Sequence, residues 1–195
     1  MVLWSIAIIM TIIFLVMLFL TMIRKVQFDA IHHNFLDLED EFGGQVVRNG
    51  FAVRPRYTGE FKGQNISVSI TSEKVKDDRK YYIAITMKAG SDKTFTIMST
   101  DWLGKKELPP EQNRETLPVQ DGKYLLEASD PENLYLFDLS LIENIVSNMP
   151  PFAYILMGKS RMLLETTTLN VIEDTKLNAM RPLFEGMYRL KRMVD

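Results

Sequence analysis

The two histidines are the residues that first suggest metal chemistry, because imidazole is a common metal ligand. His32 and His33 are adjacent, and adjacent helix positions point about 100° apart, so the pair cannot hold one ion together. Asp29 and Asp37 each lie four residues from His33, on the same helix face. This is a candidate cluster of two carboxylates and one imidazole, but a solvated polar face opposite an apolar stripe is the favoured interpretation. We therefore assign no metal ligand.

Motifs for nucleophilic catalysis and phosphate binding give the same result. Gly158-Lys159-Ser160 matches the end of a phosphate-binding loop, but the glycine required five positions earlier is Ala153, and strand-like segments lie on both sides. A hairpin turn is favoured. The chain has no cysteine, which excludes thiol nucleophiles and thiolate metal sites. We expect no catalytic residue, no cofactor and no metal, and no spacing nominates a pair among the 25 acidic residues.

A small group of basic residues forms a candidate binding surface. Pro55 lacks a backbone N–H, which is typical of a sheet edge, and Arg54 and Arg56 flank it on one face of a predicted strand. Together with Arg48 and Lys62 they are a candidate site for an anion or a partner. Protection of a sheet edge by charge is the favoured alternative.

The distribution of charge argues against nucleic acid as a partner. The 195 residues carry 23 Lys and Arg and 25 Asp and Glu, a formal net charge of −2 at pH 7. Two of the basic residues, Arg24 and Lys25, and none of the acidic residues lie before position 26. Residues 26–195 therefore carry a net charge of −4. Binding to a phosphate backbone needs a basic patch or stripe that this distribution lacks.

Residues 1–23 predict a membrane anchor. They contain no charged residue, no Gly and no Pro. A helix of this length spans about 34 Å, enough for a hydrocarbon core of about 30 Å. A cleaved signal peptide is disfavoured because no basic stretch precedes the apolar run and no small-residue cleavage site follows it. We expect a single-pass membrane protein that contacts the bilayer through residues 1–23.

The charges beside the apolar run predict its orientation. Arg24 and Lys25 follow the run directly, and basic residues near a span are retained on the cytoplasmic side. We therefore expect the rest of the chain to lie on the cytoplasmic side of the membrane.

Residues 24–42 predict an amphipathic helix that continues out of the membrane. Apolar residues recur at spacings of three and four and form one stripe: Phe28, Ile31, Phe35, Leu38 and Phe42. A short parallel coiled coil, which would make a homo-oligomer, is one interpretation. Packing of the stripe against the chain's own sheet is favoured, because two heptads are too few for a convincing coiled coil and Phe is bulky in such a seam.

Alternation of apolar and polar residues from Gln45 to Ser99 predicts antiparallel strands. Residues 65–71 show it best, with Ile and Val at every second position and Ser and Thr between them. We expect these strands to form a β-meander. A polar loop should follow from Trp102 to Pro118, because Pro109-Pro110 forbids a helix there.

The last third of the chain predicts helices and one hairpin. Asp130-Pro131-Glu132 has the residues of a helix start, and Ser140 is a candidate second cap. Phe152–Met157 and Arg161–Thr168 read as the two strands of a hairpin. A final helix should begin near Asp174 and run toward the C-terminus.

These elements predict an α+β protein. An N-terminal transmembrane helix (1–23) extends into the amphipathic helix (24–42). A single soluble α+β domain (43–195) then combines the antiparallel β-meander with two or three C-terminal helices.

The turn and core residues also resemble a known group of proteins. Phe42-Gly43-Gly44, Gly59-Glu60-Phe61-Lys62-Gly63 and the alternating strand after them are similar to a loose group of uncharacterised bacterial proteins. In that group a membrane anchor precedes a domain with a G-x-[F/Y]-x-G hairpin and two late helices. The resemblance spans most of the region after Gly43 and implies a similar α+β domain. It brings no catalytic residues and no known activity.

An anchor joined to an ordered domain without a recognisable catalytic set favours a membrane-anchored, non-catalytic binding or scaffold module. We expect it to recruit a protein partner or a small ligand, through the sheet edge or the late helices. The alternative is an accessory subunit of a larger membrane, envelope or transport assembly, in which the anchor packs against other membrane helices. An enzyme with an unrecognised carboxylate site is the third hypothesis.

Overall fold

The fold was obtained as a computed structural model, which describes residues 2–50, 53–75, 78–103, 116–128, 134 and 137–194. It begins with one long helix, α1 (Val2–Phe42), which contains both the apolar run and the amphipathic segment. The other helices are α2 (Thr100–Leu103), α3 (Leu139–Ser147), α4 (Val171–Asp174) and α5 (Leu177–Val194). The strands are β1 (Gln45–Val47), β2 (Arg56–Phe61), β3 (Gln64–Val75), β4 (Asp78–Lys88), β5 (Phe95–Ser99), β6 (Thr116–Val119), β7 (Tyr124–Ala128), β8 (Tyr154–Met157) and β9 (Arg161–Thr168).

The described strands form one antiparallel sheet in the order β1-β2-β3-β4-β9-β8-β5-β7-β6. The α+β fold class is therefore confirmed. The meander prediction is wrong beyond β4, because β4 pairs with β9 and β5 lies between β8 and β7. The physical reason is length, since β9 matches β4 over eight residue pairs, whereas β5 has five residues to offer.

Two further expectations are corrected by the structure. Strand β6 occupies part of the predicted polar loop and contains Pro118. It is one of the two edge strands of the sheet, where a missing N–H is tolerated. Helix α3 is capped by Asp138, whose carboxylate accepts hydrogen bonds from Leu141 N (3.1 Å) and the Ser140 hydroxyl (2.7 Å). Ser140 therefore lies inside the first turn instead of capping it. The predicted start at Asp130-Pro131-Glu132 lies outside the described residues.

The β8–β9 hairpin is confirmed, and its turn closes with a hydrogen bond from Gly158 N to Arg161 O (2.9 Å). The final helix begins at Leu177, because α4 is a separate turn capped by Asn170. Pro182 lies inside α5, which continues past it to Val194.

One face of the sheet carries the helices, and we call it the helical face. The apolar stripe of α1 lies on it, with Ile31, Phe35 and Leu38 fully buried and Phe28 5% exposed. The inward residues of α5 are also fully buried: Met180, Phe184, Met187 and Leu190. Those four residues of the α1 stripe are thus covered within one chain, as the favoured interpretation expected, and Phe42 is half-buried against the same core. The second half of α1 is part of the core that covers the sheet.

The end of α1 and strand β2 meet at a glycine junction. Gly44 has a φ of +101°, and a Cβ on it would lie 2.2 Å from the carbonyl oxygen of Thr58. A Cβ on Gly59 would lie 2.1 Å from the hydroxyl of Tyr57. That hydroxyl donates a 2.8 Å hydrogen bond to Gly43 O, at the end of the helix. The missing side chains therefore allow the helix end, the tyrosine and the strand to touch.

Candidate functional site

The structure separates the basic residues that the sequence grouped. Arg48 pairs with Asp29 of α1 and donates from Nε to Val53 O (3.2 Å). Its hydrogen bond, helped by the charges of Arg48 and Lys25, holds the pKa of the Asp29 carboxyl below its usual value. Arg54 donates to the Ser72 hydroxyl on β3. These contacts tie the segment between β1 and β2 to its neighbours.

Lys62 and Arg56 lie at opposite ends of β2. Lys62 follows the strand and forms an ion pair with Glu185 of α5 (2.7 Å). Arg56 begins the strand, opposite Val47, and is exposed. Six residues of strand separate them by about 20 Å. The four basic residues therefore do not converge on one anion.

The histidine region likewise gathers no metal-binding set. Asp29 is engaged by Arg48, and Asp37 lines a surface hollow beside Arg181. Within the described ranges, no group of three or more His, Asp or Glu side chains is placed to hold a metal ion. The Nδ1 atom of His32 is buried without a hydrogen-bond partner in the same part of the chain.

The candidate site lies on the face of the sheet that points away from α1, α3, α4 and α5, which we call the open face. Alternate residues of the central strands point to it. These residues are close in space although they lie far apart in the sequence. Its members include Tyr82, Ala84, Thr86, Met98, Tyr154, Leu156, Leu163 and Glu165.

The centre of the open face is apolar. Leu156 is 42% exposed and lies directly opposite Leu163 in the β8–β9 register. Tyr154 is the next residue of β8 on this face and pairs with Met98 of β5. The ring of Trp102, from α2, lies 5.3 Å from the Tyr154 ring. An exposed apolar patch of this kind on a sheet is typical of an interaction surface.

One end of the open face holds a small hollow, which we call the aromatic cup. Its volume is about 230 Å³, and it is lined by Thr71, Ser72, Glu73, Tyr82, Trp102 and Glu165. The Tyr82 hydroxyl donates to Glu73 (3.3 Å), and the Tyr154 hydroxyl donates to Glu165 (3.4 Å). Aromatic rings beside carboxylates suit an organic cation, such as a lysine ammonium or an arginine guanidinium.

The tyrosines at the cup remain protonated hydrogen-bond donors. Burial, and then the Glu73 carboxylate, raises the pKa of Tyr82 above its ordinary value. Burial, and then the Glu165 carboxylate, does the same to the pKa of Tyr154. Both hydroxyls therefore remain hydrogen-bond donors to the Glu73 and Glu165 side chains.

The other end of the open face holds a polar groove of about 830 Å³. Lys88 and Arg161 lie directly opposite each other in the β4–β9 register, and both are exposed. Neither forms an ion pair with a residue of the described ranges. Like charges directly opposite are destabilising in a sheet, so sheet stability does not explain this pair. The pair is suited to an acidic group, and Glu60, which also lines the groove, adds one negative charge beside it.

Sequence reasoning missed this site. On a single strand, Lys88 or Glu165 looks like an ordinary solvent-facing residue, since every second position of a half-buried strand is polar. The available signal was Trp102, a large aromatic residue three positions after the last residue of the predicted strands, Ser99. The pairing of β4 with β9, which places Lys88 opposite Arg161 and brings Glu165 onto the same face, has no local sequence signature.

Comparisons with known proteins show a likeness in fold. No protein-family model and no curated protein matches the sequence. Among solved structures, the chain is similar to the crystal structure of the mycobacterial trehalose monomycolate transport factor A, TtfA, with a TM-score of 0.51. The two chains are 11% identical, and the match covers 82% of this chain and 95% of that chain. At this identity the likeness concerns the α+β fold alone and assigns no role to any residue.

Proposed function

We propose that this chain is a membrane-anchored, non-catalytic binding module that recruits a protein partner through the open face. The observation that carries the proposal is the layout of that face, with an apolar centre between the acidic aromatic cup and the cationic pair Lys88 and Arg161. An apolar core within a polar, charged rim is the usual anatomy of a protein interface. Six residues of β4 separate the two charged ends, a distance of about 20 Å.

The anchor is the second part of the proposal. Among the described residues, one helix is long and apolar enough to cross a membrane, and its apolar window is not buried within the chain. A core helix would be covered, so exposure favours a lipid environment. Because the second half of the same helix packs into the core, the anchor would hold the open face in a fixed direction relative to the bilayer.

A photo-crosslinking experiment tests the partner. A photoreactive amino acid is placed at Leu156 in the full-length chain in its native membranes. The matched control position is Leu141 on α3, which is 38% exposed and lies away from the open face. We expect a discrete protein adduct from position 156 and none from position 141.

Substitutions then test whether the adduct reports recognition. Leu156→Asp should abolish co-purification of the crosslinked protein, because a carboxylate in an apolar contact must be desolvated without a partner. Leu141→Asp should leave co-purification unchanged. Equal loss from both variants, or no adduct from position 156, contradicts the open face as the docking surface.

The cytoplasmic orientation belongs to the proposal as well, on the strength of Arg24 and Lys25. The chain lacks native cysteine, so a single cysteine at the exposed Asp92 is specific. Labelling by a membrane-impermeant maleimide only after cell lysis is the expected result. Labelling of intact cells would reverse the orientation and direct the partner search to the other side of the membrane.

The second candidate function is an accessory subunit of a membrane or envelope transport assembly. The likeness in fold to a protein described as a transport factor favours it. In that case a multi-span membrane protein should co-purify with the full-length chain in mild detergent. A chain that runs alone as a monomer under those conditions contradicts this candidate. The first candidate is tested separately, because its partner is crosslinked in the membrane before solubilisation.

A further inference from the structure

The contacts of helix α1 give the distance of each part of the sheet from the membrane, because α1 contains the proposed anchor. The Tyr81 hydroxyl donates to Gln27 Oε1 (3.3 Å), which sets the row of the sheet that contains Tyr81 level with Gln27. In the same row, Tyr81 pairs with Thr168 of β9 and with Ser72 of β3. The end of the sheet that contains this row therefore faces the membrane.

A second contact confirms that the strands run along α1. The Phe42 and Phe61 rings are 5.3 Å apart, and Phe61 lies eight residue rows from Tyr81 through the registers of β2, β3 and β4. Eight rows of strand measure about 26 Å. The fifteen helical residues from Gln27 to Phe42 measure about 22 Å. The two lengths agree to within a few ångströms.

The β3–β4 hairpin limits how deep the domain can sit. Its pairing continues three rows beyond Tyr81, to Val75 opposite Asp78, which is about 10 Å nearer the membrane. Seven of the eight residues from Glu73 to Lys80 are charged, so this end cannot enter hydrocarbon. Ten ångströms along α1 from Gln27 is close to Leu20. The apolar run is about three residues longer than a hydrocarbon core needs, so the boundary can lie there.

Leu169 follows the same level row on β9. It is 105% exposed, the highest value among the exposed large hydrophobic residues of the described chain. One residue beyond Thr168 on β9, it lies about 7 Å above a boundary at Leu20. The headgroup layer is about 5 to 8 Å thick on each side of the hydrocarbon. No residue of the described chain packs on Leu169. Lipid headgroups would cover it.

The geometry points to a second membrane contact: the membrane-facing rim, formed by the β3–β4 pairing at Val75 and Asp78 and by Leu169 in the β9–α4 turn, lies in the headgroup layer of the bilayer that holds α1. The partner is the lipid surface itself, with Leu169 in the headgroup layer and the β3–β4 pairing at Val75 and Asp78 level with the hydrocarbon boundary. This inference rests on the proposed anchor. It implies that the domain docks on the membrane at a fixed depth instead of standing free above it.

Depth-dependent fluorescence quenching tests the contact in the full-length chain in lipid vesicles. The absence of cysteine allows one environment-sensitive label at a time, on Leu169→Cys, Asp92→Cys or Phe14→Cys. Asp92 is exposed at the opposite end of the sheet, after β4, and Phe14 lies in the apolar run. Leu169 has no packing to lose, so its label does not disturb the fold.

We expect blue-shifted emission from the label at 169 and loss of its fluorescence when the vesicles contain a lipid with a headgroup nitroxide. The label at 92 should show neither effect, and the label at 14 should be quenched by a nitroxide deep in the acyl chain. If the label at 14 is quenched and the label at 169 behaves like the label at 92, the inference is overturned and the anchor is left intact. An unquenched label at 14 overturns the anchor, and the rim with it.

Discussion

Replacing Tyr57 by Phe tests whether the end of α1 is fixed to the sheet as the structure describes. The Tyr57 side chain is fully buried, and its hydroxyl donates to Gly43 O across the notch left by Gly59. Burial, and then the carboxylate of Glu39, raises the pKa of this phenol from 10.0 to about 12. The substitution removes one hydrogen bond and one titration and keeps the ring.

The two losses change the stability of the variant, relative to the wild type, in opposite directions. Loss of the hydrogen bond lowers it, and loss of the titration raises it at high pH. At neutral pH the lost hydrogen bond lowers the free energy of unfolding by about 1 kcal/mol. Above pH 10 the unfolded chain loses the Tyr57 proton and the folded chain retains it, so the wild type loses stability as pH rises. The rise of the pKa from 10.0 to about 12 corresponds to about 3 kcal/mol of stability, fully present below pH 10 and lost by about pH 12. The variant and the wild type should therefore be equally stable near pH 11.

The assay is denaturant unfolding of both full-length proteins in detergent micelles at a series of pH values, with ultraviolet titration of phenolate in parallel. The difference between the two proteins cancels the other tyrosines and the lysines. A difference that stays constant from about pH 8 to about pH 11.5, or a difference spectrum with a pKa near 10, would refute a buried and hydrogen-bonded Tyr57.

A double-mutant cycle supplies the control. Gly59→Ala places a Cβ 2.1 Å from the Tyr57 hydroxyl, so it should be less destabilising in the Tyr57→Phe background than in the wild type. The new Cβ would also lie 2.7 Å from Gly43 O, so part of the cost remains in both backgrounds. An equal cost in both would mean that the Tyr57 hydroxyl does not occupy the notch.

Substitutions at three other places in the fold are tested by denaturant unfolding. Phe35→Ala, at a fully buried position of the α1 stripe, should lower the free energy of unfolding by about 3 to 5 kcal/mol; a change below about 1 kcal/mol would mean that the stripe is not core. Gly63→Ala should cost about 1 to 2 kcal/mol from its φ of +79° alone, because no atom lies within 4 Å of the new Cβ, and Gly63→Asn should cost less. Asp138→Ala should cost about 1 kcal/mol through loss of the α3 cap, and Ser140→Ala should cost less than Asp138→Ala if the cap is at Asp138.

Features set by local chemistry were predicted well from the sequence. The helix end at Phe42 followed from two consecutive glycines, both with positive φ in the structure. The stripe of α1 followed from its spacing, and the β8–β9 hairpin followed from two strand patterns around one turn. In each case the deciding interactions lie within a few residues of one another, so periodicity and turn chemistry are sufficient.

Features set by distant contacts were not predicted. Arg48 and Lys62 looked like members of one basic group, but their partners Asp29 and Glu185 come from different helices. The cap of α3 was misplaced by two residues, because Asp138 and Ser140 are both good caps and the packing of the helix decides between them.

The sequence by itself determined that an uncharged apolar helix precedes an α+β domain and that one face of that helix is apolar. These conclusions rest on composition and on the helical and strand periods, which are local properties of the chain. Tertiary structure decided which strands are neighbours, and therefore that an acidic aromatic cup and a cationic pair share one open face. The physical reason is that antiparallel pairing joins any two strands whose lengths and buried faces match, wherever they lie in the chain.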